Sequence, residues 1–108
     1  MKLFGDIGKG LEAYRASPGA LLLDVREAEE YAAGHIPGAV SVPLSGMGQA
    51  ALPEGKPLFL YCLRGTRRRR AAGILKRRGY RDVRSIGGIR GYRGALERSG
   101  AGTEENPG

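Results

Sequence analysis

Short apolar runs alternate with segments of helical spacing along this chain, and that alternation limits the folds it can adopt. Four runs predict strands, at residues 20–25, 39–42, 57–62 and 82–86. The remaining segments predict helices at residues 7–16, 27–33, 45–52 and 68–78, and from just after Gly87 and Gly88 to about residue 98. Gly34 is expected to cap the second helix in the left-handed conformation, and Gly79 to cap the fourth. Buried strands joined by helices favour an α/β fold, with a central, mostly parallel sheet flanked by helices on both faces.

The length of 108 residues is enough for one domain, which we assign to residues 1–98. Residues 99–108 contain two glutamates and three glycines and predict a flexible acidic tail. No apolar run approaches the ~20 residues of a membrane-spanning helix, and no signal-peptide core follows the first residues. We therefore expect a cytoplasmic protein that does not associate with a membrane.

Basic charge is concentrated directly after the single cysteine, Cys62. Residues 61–98 contain thirteen lysines and arginines against two acidic residues, within a net charge of +7. These cations either form a solvated helix face or attract anions, including an acidic protein partner. Nucleic acid is not an expected partner, because few aromatic residues lie among the cations. One cysteine and one histidine exclude an internal disulfide and most metal sites, so we expect neither a metal nor a cofactor.

The segment at the end of the third predicted strand contains the groups that activate a nucleophile. Cys62 ends this strand, at the edge where parallel α/β sheets bind their ligands. Its thiolate would be stabilised by the amides of a tight turn containing Gly65, by the positive end of the next helix, and by the guanidinium groups of Arg64 and Arg67. We expect these two arginines to bind an oxyanion directly. The alternative is a buried structural thiol that packs as a small apolar side chain.

Several short motifs occur in a fixed order between about Leu21 and Leu96. They are Leu22-Leu23-Asp24-Val25-Arg26-Glu27, Glu30-Tyr31, Gly34-His35-Ile36-Pro37-Gly38-Ala39, Leu60-Tyr61-Cys62-Leu63-Arg64-Gly65-Thr66-Arg67, Ala71-Ala72, Leu75, Gly79-Tyr80 and Gly87-Gly88. Each motif alone is weak, but together and at this spacing they resemble the single-domain rhodaneses, a family of sulfurtransferases. The resemblance implies a rhodanese-like α/β fold with a central parallel sheet.

The resemblance also implies an activity centred on Cys62. This cysteine would take a sulfane sulfur from a small anionic donor such as thiosulfate and form a persulfide. The loop backbone would cradle the outer sulfur or the oxyanion of the donor, through Leu63, Arg64, Gly65, Thr66 and Arg67. Transfer in two covalent steps predicts ping-pong kinetics. Because the chain has no second cysteine, the acceptor must be external: cyanide, a small thiol, sulfite or a partner protein.

Two residues depart from the common pattern of the family. Arg68 stands where a serine often follows the loop arginine, and Tyr92 stands where a tryptophan is common after the Gly-Gly turn. Neither residue is the nucleophile, but both would alter the rim of the pocket and therefore the acceptor. It stays open whether Arg68, Arg69 and Arg70 contact a substrate, a partner or only solvent.

Three further polar residues are expected to support the site. The position of Asp24 and Arg26 at the end of a predicted strand indicates a buried ion pair beside the crevice. Asp24 is also the nearest candidate for a catalytic acid. His35 together with Cys62 would suit a base-assisted nucleophile. The resemblance implies instead that His35 makes a structural hydrogen bond between elements.

Two other functions compete with sulfur transfer. The spacing of Cys62 and Arg68 satisfies the Cys-x5-Arg pattern of cysteine-dependent phosphatases, and an arsenate reductase of the same fold belongs to this alternative. Against it, Tyr61 stands where those phosphatases often have histidine, and the six-residue loop from Cys62 to Arg67 suits a sulfur atom better than phosphate. The second alternative is a non-catalytic sulfur carrier or docking module that binds an acidic partner through the basic face.

Overall fold

The central element of the computed structural model, which describes residues 2–3, 6–64 and 66–99, is a five-stranded sheet. The strands are β1 (Lys2–Leu3), β2 (Leu21–Asp24), β3 (Val40–Ser41), β4 (Leu58–Cys62) and β5 (Val83–Gly88). Their order across the sheet is β1-β5-β4-β2-β3, and every pair within it is parallel. The expected α/β class with a parallel sheet is confirmed.

Helices cover both faces of this sheet. They are α1 (Ile7–Arg15), α2 (Ala28–Ala33) and α3 (Thr66–Arg77). Strand β4 is buried along its whole length because its side chains alternate between two cores. Phe59 and Tyr61 lie in the core beneath α1, whereas Leu58, Leu60 and Cys62 lie in the core beneath α3. The continuous apolar run that predicts this strand is therefore the signature of a strand covered on both sides.

Two of the helices expected from the sequence are absent from the described residues. Residues 45–52 contain no α-helix, only a 3₁₀ turn over Leu44–Gly46. The backbone carbonyls of this segment bond elsewhere: Arg78 donates to the oxygens of Met47 and Ala50 at 2.7 and 2.9 Å, and the Tyr80 hydroxyl donates to that of Leu52 at 2.9 Å. Distant side chains thus stabilise a non-helical path.

The last expected helix, running to about residue 98, is also wrong. After β5 the chain forms a 3₁₀ turn over Ile89–Gly91 and then contains no helix over residues 92–99. There Glu97 forms an isolated antiparallel bridge with His35, with both N–O distances 2.8 Å. Backbone pairing with a distant loop replaces the helix, in a segment where glycine lowers helix propensity.

The glycines expected to cap helices behave differently from each other. Gly79 ends α3 with a φ of 99°, as predicted, and Tyr80 N bonds back to the Leu75 carbonyl at 3.0 Å. Gly34 has a φ of 165°, which is extended rather than left-handed, so that prediction is wrong. The extended path lets the Gly34 carbonyl accept a hydrogen bond from Arg26 at 2.7 Å.

Strand β1 was not predicted, and it pairs with the edge of β5 over two residues. The predicted tail lies, from residue 100 onward, outside the described residues, and Ser99 N bonds to the Ala32 carbonyl at 3.2 Å. Among the helices that the structure describes, none combines the length and the apolar character needed to span a membrane.

Candidate active site

Cys62 is the last residue of β4 and lies at the carboxyl edge of the sheet. Helix α3 begins at Thr66, two residues earlier than predicted, so Thr66 and Arg67 belong to the helix and only residues 63–65 connect it to the strand. Gly65 itself lies outside the described residues. Leu63 is half-buried and Arg64 is exposed. The short connection brings the cysteine close to the positive end of a twelve-residue helix.

The Cys62 side chain is buried, with 1% of its surface exposed. It packs in the core beneath α3, together with Ala71 and Ala72. This burial is what the structural-thiol interpretation predicts. Access to this thiol is the property that an experiment on function has to measure first.

Arg67 forms an ion pair with the carboxylate of Glu30 in α2. Its Nη1 and Nη2 atoms donate to the two Glu30 carboxylate oxygens at 2.6 and 3.1 Å. The same Glu30 completes the capping box of α2 by accepting the Glu27 N–H at 2.9 Å. The bond from Arg67 lowers the pKa of Glu30 to about 2. The pKa of Arg67 is raised, mainly by this bond and in part by Cys62. Because Arg67 already bonds to Glu30, its direct contact with a donor anion stays a prediction.

The side chains of Asp24 and Arg26 form the expected buried pair, which contacts Tyr61, the neighbour of Cys62 in β4. Arg26 Nη2 lies 2.7 Å from Asp24 Oδ2, and the Asp24 side chain is fully buried. Tyr61, the residue before Cys62, donates its hydroxyl to the same carboxylate at 2.8 Å and accepts the Ile36 N–H at 3.1 Å. Burial raises the pKa of Tyr61, so the phenol stays neutral and keeps donating. This network fixes the end of β4 against β2.

Tyr61 and Glu30 are positioning residues that sequence reasoning missed in these roles. A tyrosine inside an apolar strand is a weak signal, because a buried hydroxyl needs a partner that the local sequence does not show. The partnership of Glu30 with Arg67 joins residues far apart in the chain and has no local pattern.

His35 joins elements, as the resemblance implies. Its Nδ1 lies 2.8 Å from the Tyr31 carbonyl oxygen, and its ring stacks on the Tyr31 ring with centroids 3.8 Å apart. Its Nε2 lies 3.7 Å from a Glu97 carboxylate oxygen. These contacts hold α2 to the last described segment of the chain.

The other side of the loop is cationic. Arg64, Arg68 and Arg90 line a cleft of about 680 Å³ together with Gly87, Gly88 and Asp6, and we call this feature the cationic cleft. Gly88 fits because it lacks a side chain: a Cβ there would lie 2.4 Å from the Leu63 carbonyl oxygen. Arg69 and Arg70 are exposed on α3, outside the cleft lining. Thus arginines paired with carboxylates lie on one side of the loop, and the arginines of the cationic cleft lie on the other.

A cysteine at the end of a parallel strand, directly before a helix and beside several guanidinium groups, defines a class of α/β proteins with a cysteine loop at the sheet edge. Comparison with known proteins assigns the chain within this class. The family model of the rhodanese-like domain matches residues 9–95. The chain belongs to the rhodanese-like domain family.

Named relatives include both enzymes and carriers of sulfur. The thiosulfate sulfurtransferase GlpE of Pseudomonas savastanoi is 35% identical over 72 residues, which cover 65% of this chain and 68% of that protein. The putative sulfur carrier protein YrkF of Bacillus subtilis is 38% identical over 79 residues, 70% of this chain and 43% of that protein. The chain also spans 64% of the uncharacterized protein YqhL of the same organism. Several curated relatives are thus longer than the region they share with this chain.

Solved structures agree with this assignment. The human single-domain sulfurtransferase TSTD1 superposes with a TM-score of 0.65 at 31% identity, over 74% of this chain and 85% of that one. A rhodanese-like domain protein from Staphylococcus aureus, at 23% identity, shares the fold with a TM-score of 0.78 over 92% of this chain and 99% of that one.

Proposed function

We propose that this protein is a sulfurtransferase that moves a sulfane sulfur from a donor such as thiosulfate to an external acceptor through a persulfide on Cys62. The observation that carries the proposal is the position of Cys62, at the carboxyl end of β4 and separated from α3 by three residues. The same position serves ligand binding in parallel α/β sheets. Membership of the rhodanese-like family and the sulfurtransferases among its relatives support it.

The first chemical step forms the persulfide. The Cys62 thiolate attacks the outer sulfur of thiosulfate, the S–S bond of the donor breaks, and sulfite leaves with the bonding electron pair. The helix N-terminus and the nearby guanidinium groups attract the anionic donor. In this proposal the loop from Leu63 to Arg67 surrounds the transferred sulfur.

The second step returns the cysteine to its starting state. A nucleophilic acceptor, either cyanide or a thiolate, attacks the outer persulfide sulfur and the Cys62 thiolate leaves. The products are thiocyanate or a new persulfide, and the chain undergoes no net oxidation or reduction. Because no second cysteine is present to attack the persulfide, the intermediate should persist until an acceptor arrives.

Intact-mass measurement tests the proposal directly. Thiosulfate is expected to add about 32 Da, the mass of one sulfur atom, to the protein, and cyanide to remove it. Cys62→Ser should show no addition, and since Cys62 is the only cysteine the added sulfur has one location. An unchanged mass with thiosulfate overturns the proposal, and hydrolysis of an aryl phosphate in that case favours the phosphatase alternative.

A sulfur-carrier function is the second candidate, and the exposed arginines of α3 favour it. Arg69 and Arg70 are exposed beside the site and would dock an acidic partner protein. A carrier would form the persulfide yet release sulfur slowly to cyanide or glutathione, whereas an enzyme would turn over with both steps fast. Replacing both arginines by glutamate should weaken transfer to an acidic protein acceptor and leave cyanide turnover unchanged; equal protein transfer contradicts the docking surface.

We further propose that residues 1–98 act as one domain and that the protein works in the cytoplasm. Both helical layers pack on one sheet, and a reducing compartment keeps a single reactive thiol available.

A further inference from the structure

Arg68 differs from the other arginines that the described structure buries or half-buries. The other three each bond to a carboxylate, with shortest distances of 2.7, 2.6 and 2.7 Å, in the pairs Arg26–Asp24, Arg67–Glu30 and Arg84–Asp82. Arg68 Nη1 donates only to the hydroxyl of Ser85, a neutral group that is fully buried on β5. Among the described residues, Arg68 therefore forms no ion pair with a carboxylate.

The guanidinium of Arg68 is also incompletely hydrogen-bonded. Its Nε is buried and has no hydrogen-bond partner among the described residues. Burial lowers the pKa of Arg68, against an opposing contribution from Cys62, whereas the pKa of each of the three paired arginines is raised. A half-buried cation that pairs with no carboxylate is unfavourable, and an oxyanion bound beside it would offset that cost.

The cationic cleft gives such an anion a place to bind. Arg64 and Arg90 line it with exposed guanidinium groups, and neither forms an ion pair with the described residues. The single carboxylate of the lining, that of Asp6, accepts the Gly8 N–H at 2.7 Å as the N-cap of α1. Three guanidinium groups against one carboxylate leave an excess of two positive charges, which matches a dianion.

The cleft is also built into the fold at the loop. Arg90 lies just after β5, and its backbone N–H bonds to the Leu63 carbonyl at 3.4 Å. Arg68 projects from the first turn of α3 to reach β5 through Ser85. The end of β5, the first turn of α3 and the loop therefore bring these arginines to one side of Cys62. Each guanidinium can donate two parallel hydrogen bonds to two oxygens of an oxyanion.

We propose that the cationic cleft is a binding site for a tetrahedral dianionic oxyanion of the phosphate or sulfonate class, held by Arg68 and Arg90 outside the Cys62 loop together with Arg64. Two sources share this chemistry: the sulfonate end of the sulfur donor, and a phosphate group carried by another molecule. Binding of the oxyanion does not depend on the proposed sulfur transfer, whereas the role of the donor does.

Calorimetric titration of the Cys62→Ser protein with inorganic phosphate tests the site without any transfer chemistry. We expect saturable binding that weakens at least about tenfold, or ~1.4 kcal/mol, in the added Arg68→Ser background. Arg69→Ser removes the same charge from the next, exposed position and is expected to change the Kd less than about threefold. Arg90→Gln, at an exposed position where folding is not at risk, should also weaken binding.

Two results would overturn the site. One is the lack of saturable phosphate binding by the Cys62→Ser protein. The other is equal weakening by Arg68→Ser and Arg69→Ser, which would mean that phosphate responds to net charge alone. Neither result bears on persulfide formation, which the mass measurement reports separately.

Steady-state kinetics of the protein with Cys62 intact distinguishes the two sources. A KM for thiosulfate that rises in Arg68→Ser by the same factor as the phosphate Kd supports the donor sulfonate as the occupant. An unchanged KM with weakened phosphate binding supports a phosphate group of a different molecule. If no turnover occurs with any variant, the sulfur-transfer proposal fails while the phosphate titration still decides the site.

Discussion

The arginines on the two sides of the Cys62 loop differ in whether they pair with a carboxylate. On the side of β2 and α2, which we call the paired side (Asp24, Arg26, Glu30 and Arg67), each guanidinium bonds to a carboxylate. In the cationic cleft, on the side of β5, none of the arginines does. Paired charges fix the position of backbone and side chains, whereas unpaired charges attract a ligand. The same residue type thus positions the site on one side and is available for binding on the other.

Removing a carboxylate from the paired side should give the largest effect. Asp24→Ala leaves the buried Arg26 without its counter-charge and the Tyr61 hydroxyl without its acceptor. We expect the free energy of unfolding to fall by about 3–5 kcal/mol, measured by urea denaturation.

A second pair with the same spacing controls for local geometry. Arg84 Nε lies 2.7 Å from Asp82 Oδ1, again two residues apart, but the Asp82 side chain is 44% exposed. Asp82→Ala should cost about 1 kcal/mol or less. Similar losses in both variants would show that burial does not distinguish the paired side.

An anion should stabilise the protein only through the cationic cleft. Phosphate at ten times its Kd is expected to raise the free energy of unfolding by about 1.4 kcal/mol, because it binds the folded state alone. The increase should fall to about 0.4 kcal/mol or less in Arg68→Ser and stay above about 0.8 kcal/mol in Arg69→Ser when unfolding is compared with and without phosphate at constant ionic strength. An increase of the same size in Arg68→Ser as in the natural chain would contradict the cleft as its origin.

How much of this could be predicted from the sequence depends on the distance between interacting residues. Strand β4 was predictable because burial on both faces leaves a continuous apolar run. The pair of Asp24 and Arg26 was predictable because the two residues are only two positions apart in the chain. The non-helical path of residues 45–52 was not predictable, because Arg78 and Tyr80 lie far along the chain and donate hydrogen bonds to its carbonyl oxygens. Strand β1 exists because β5 offers an edge to pair with.

The candidate site also has features that the sequence predicted and features that it did not. The position of Cys62 at a strand end followed from hydrophobic patterning, and the family resemblance is confirmed. The ion pair of Arg67 and Glu30 did not follow, because it joins side chains of α2 and α3 that are far apart in the chain. The contrast between Arg67 and Arg68 is equally hidden: adjacent arginines on a helix point in different directions, one to a carboxylate and the other to Ser85.

The smallest effect concerns Glu30, and its pH dependence separates charge from shape. The folded-state pKa of Glu30 is about 2, below the ordinary value of 4.5, so the carboxylate stabilises the fold above pH 4.5 and this contribution is lost as the pH falls towards 2. Glu30→Gln keeps an oxygen for the Glu27 N–H but removes the charge. We expect it to lower the free energy of unfolding at pH 7 by about 0.5–1 kcal/mol, since the pair is partly exposed.

That difference should shrink to near zero at about pH 2, where Glu30 of the natural chain becomes protonated. Glu29→Gln makes the same charge change at an exposed position of α2 and should differ from the natural chain by only a few tenths of a kcal/mol at pH 7. Urea midpoints of the three proteins at both pH values make the comparison. A loss in Glu30→Gln that is equally large at both would mean that the shape of the side chain, not its charge, holds Arg67. The paired side would then owe its rigidity to packing, and the opposition between the two sides of the loop would no longer rest on electrostatics.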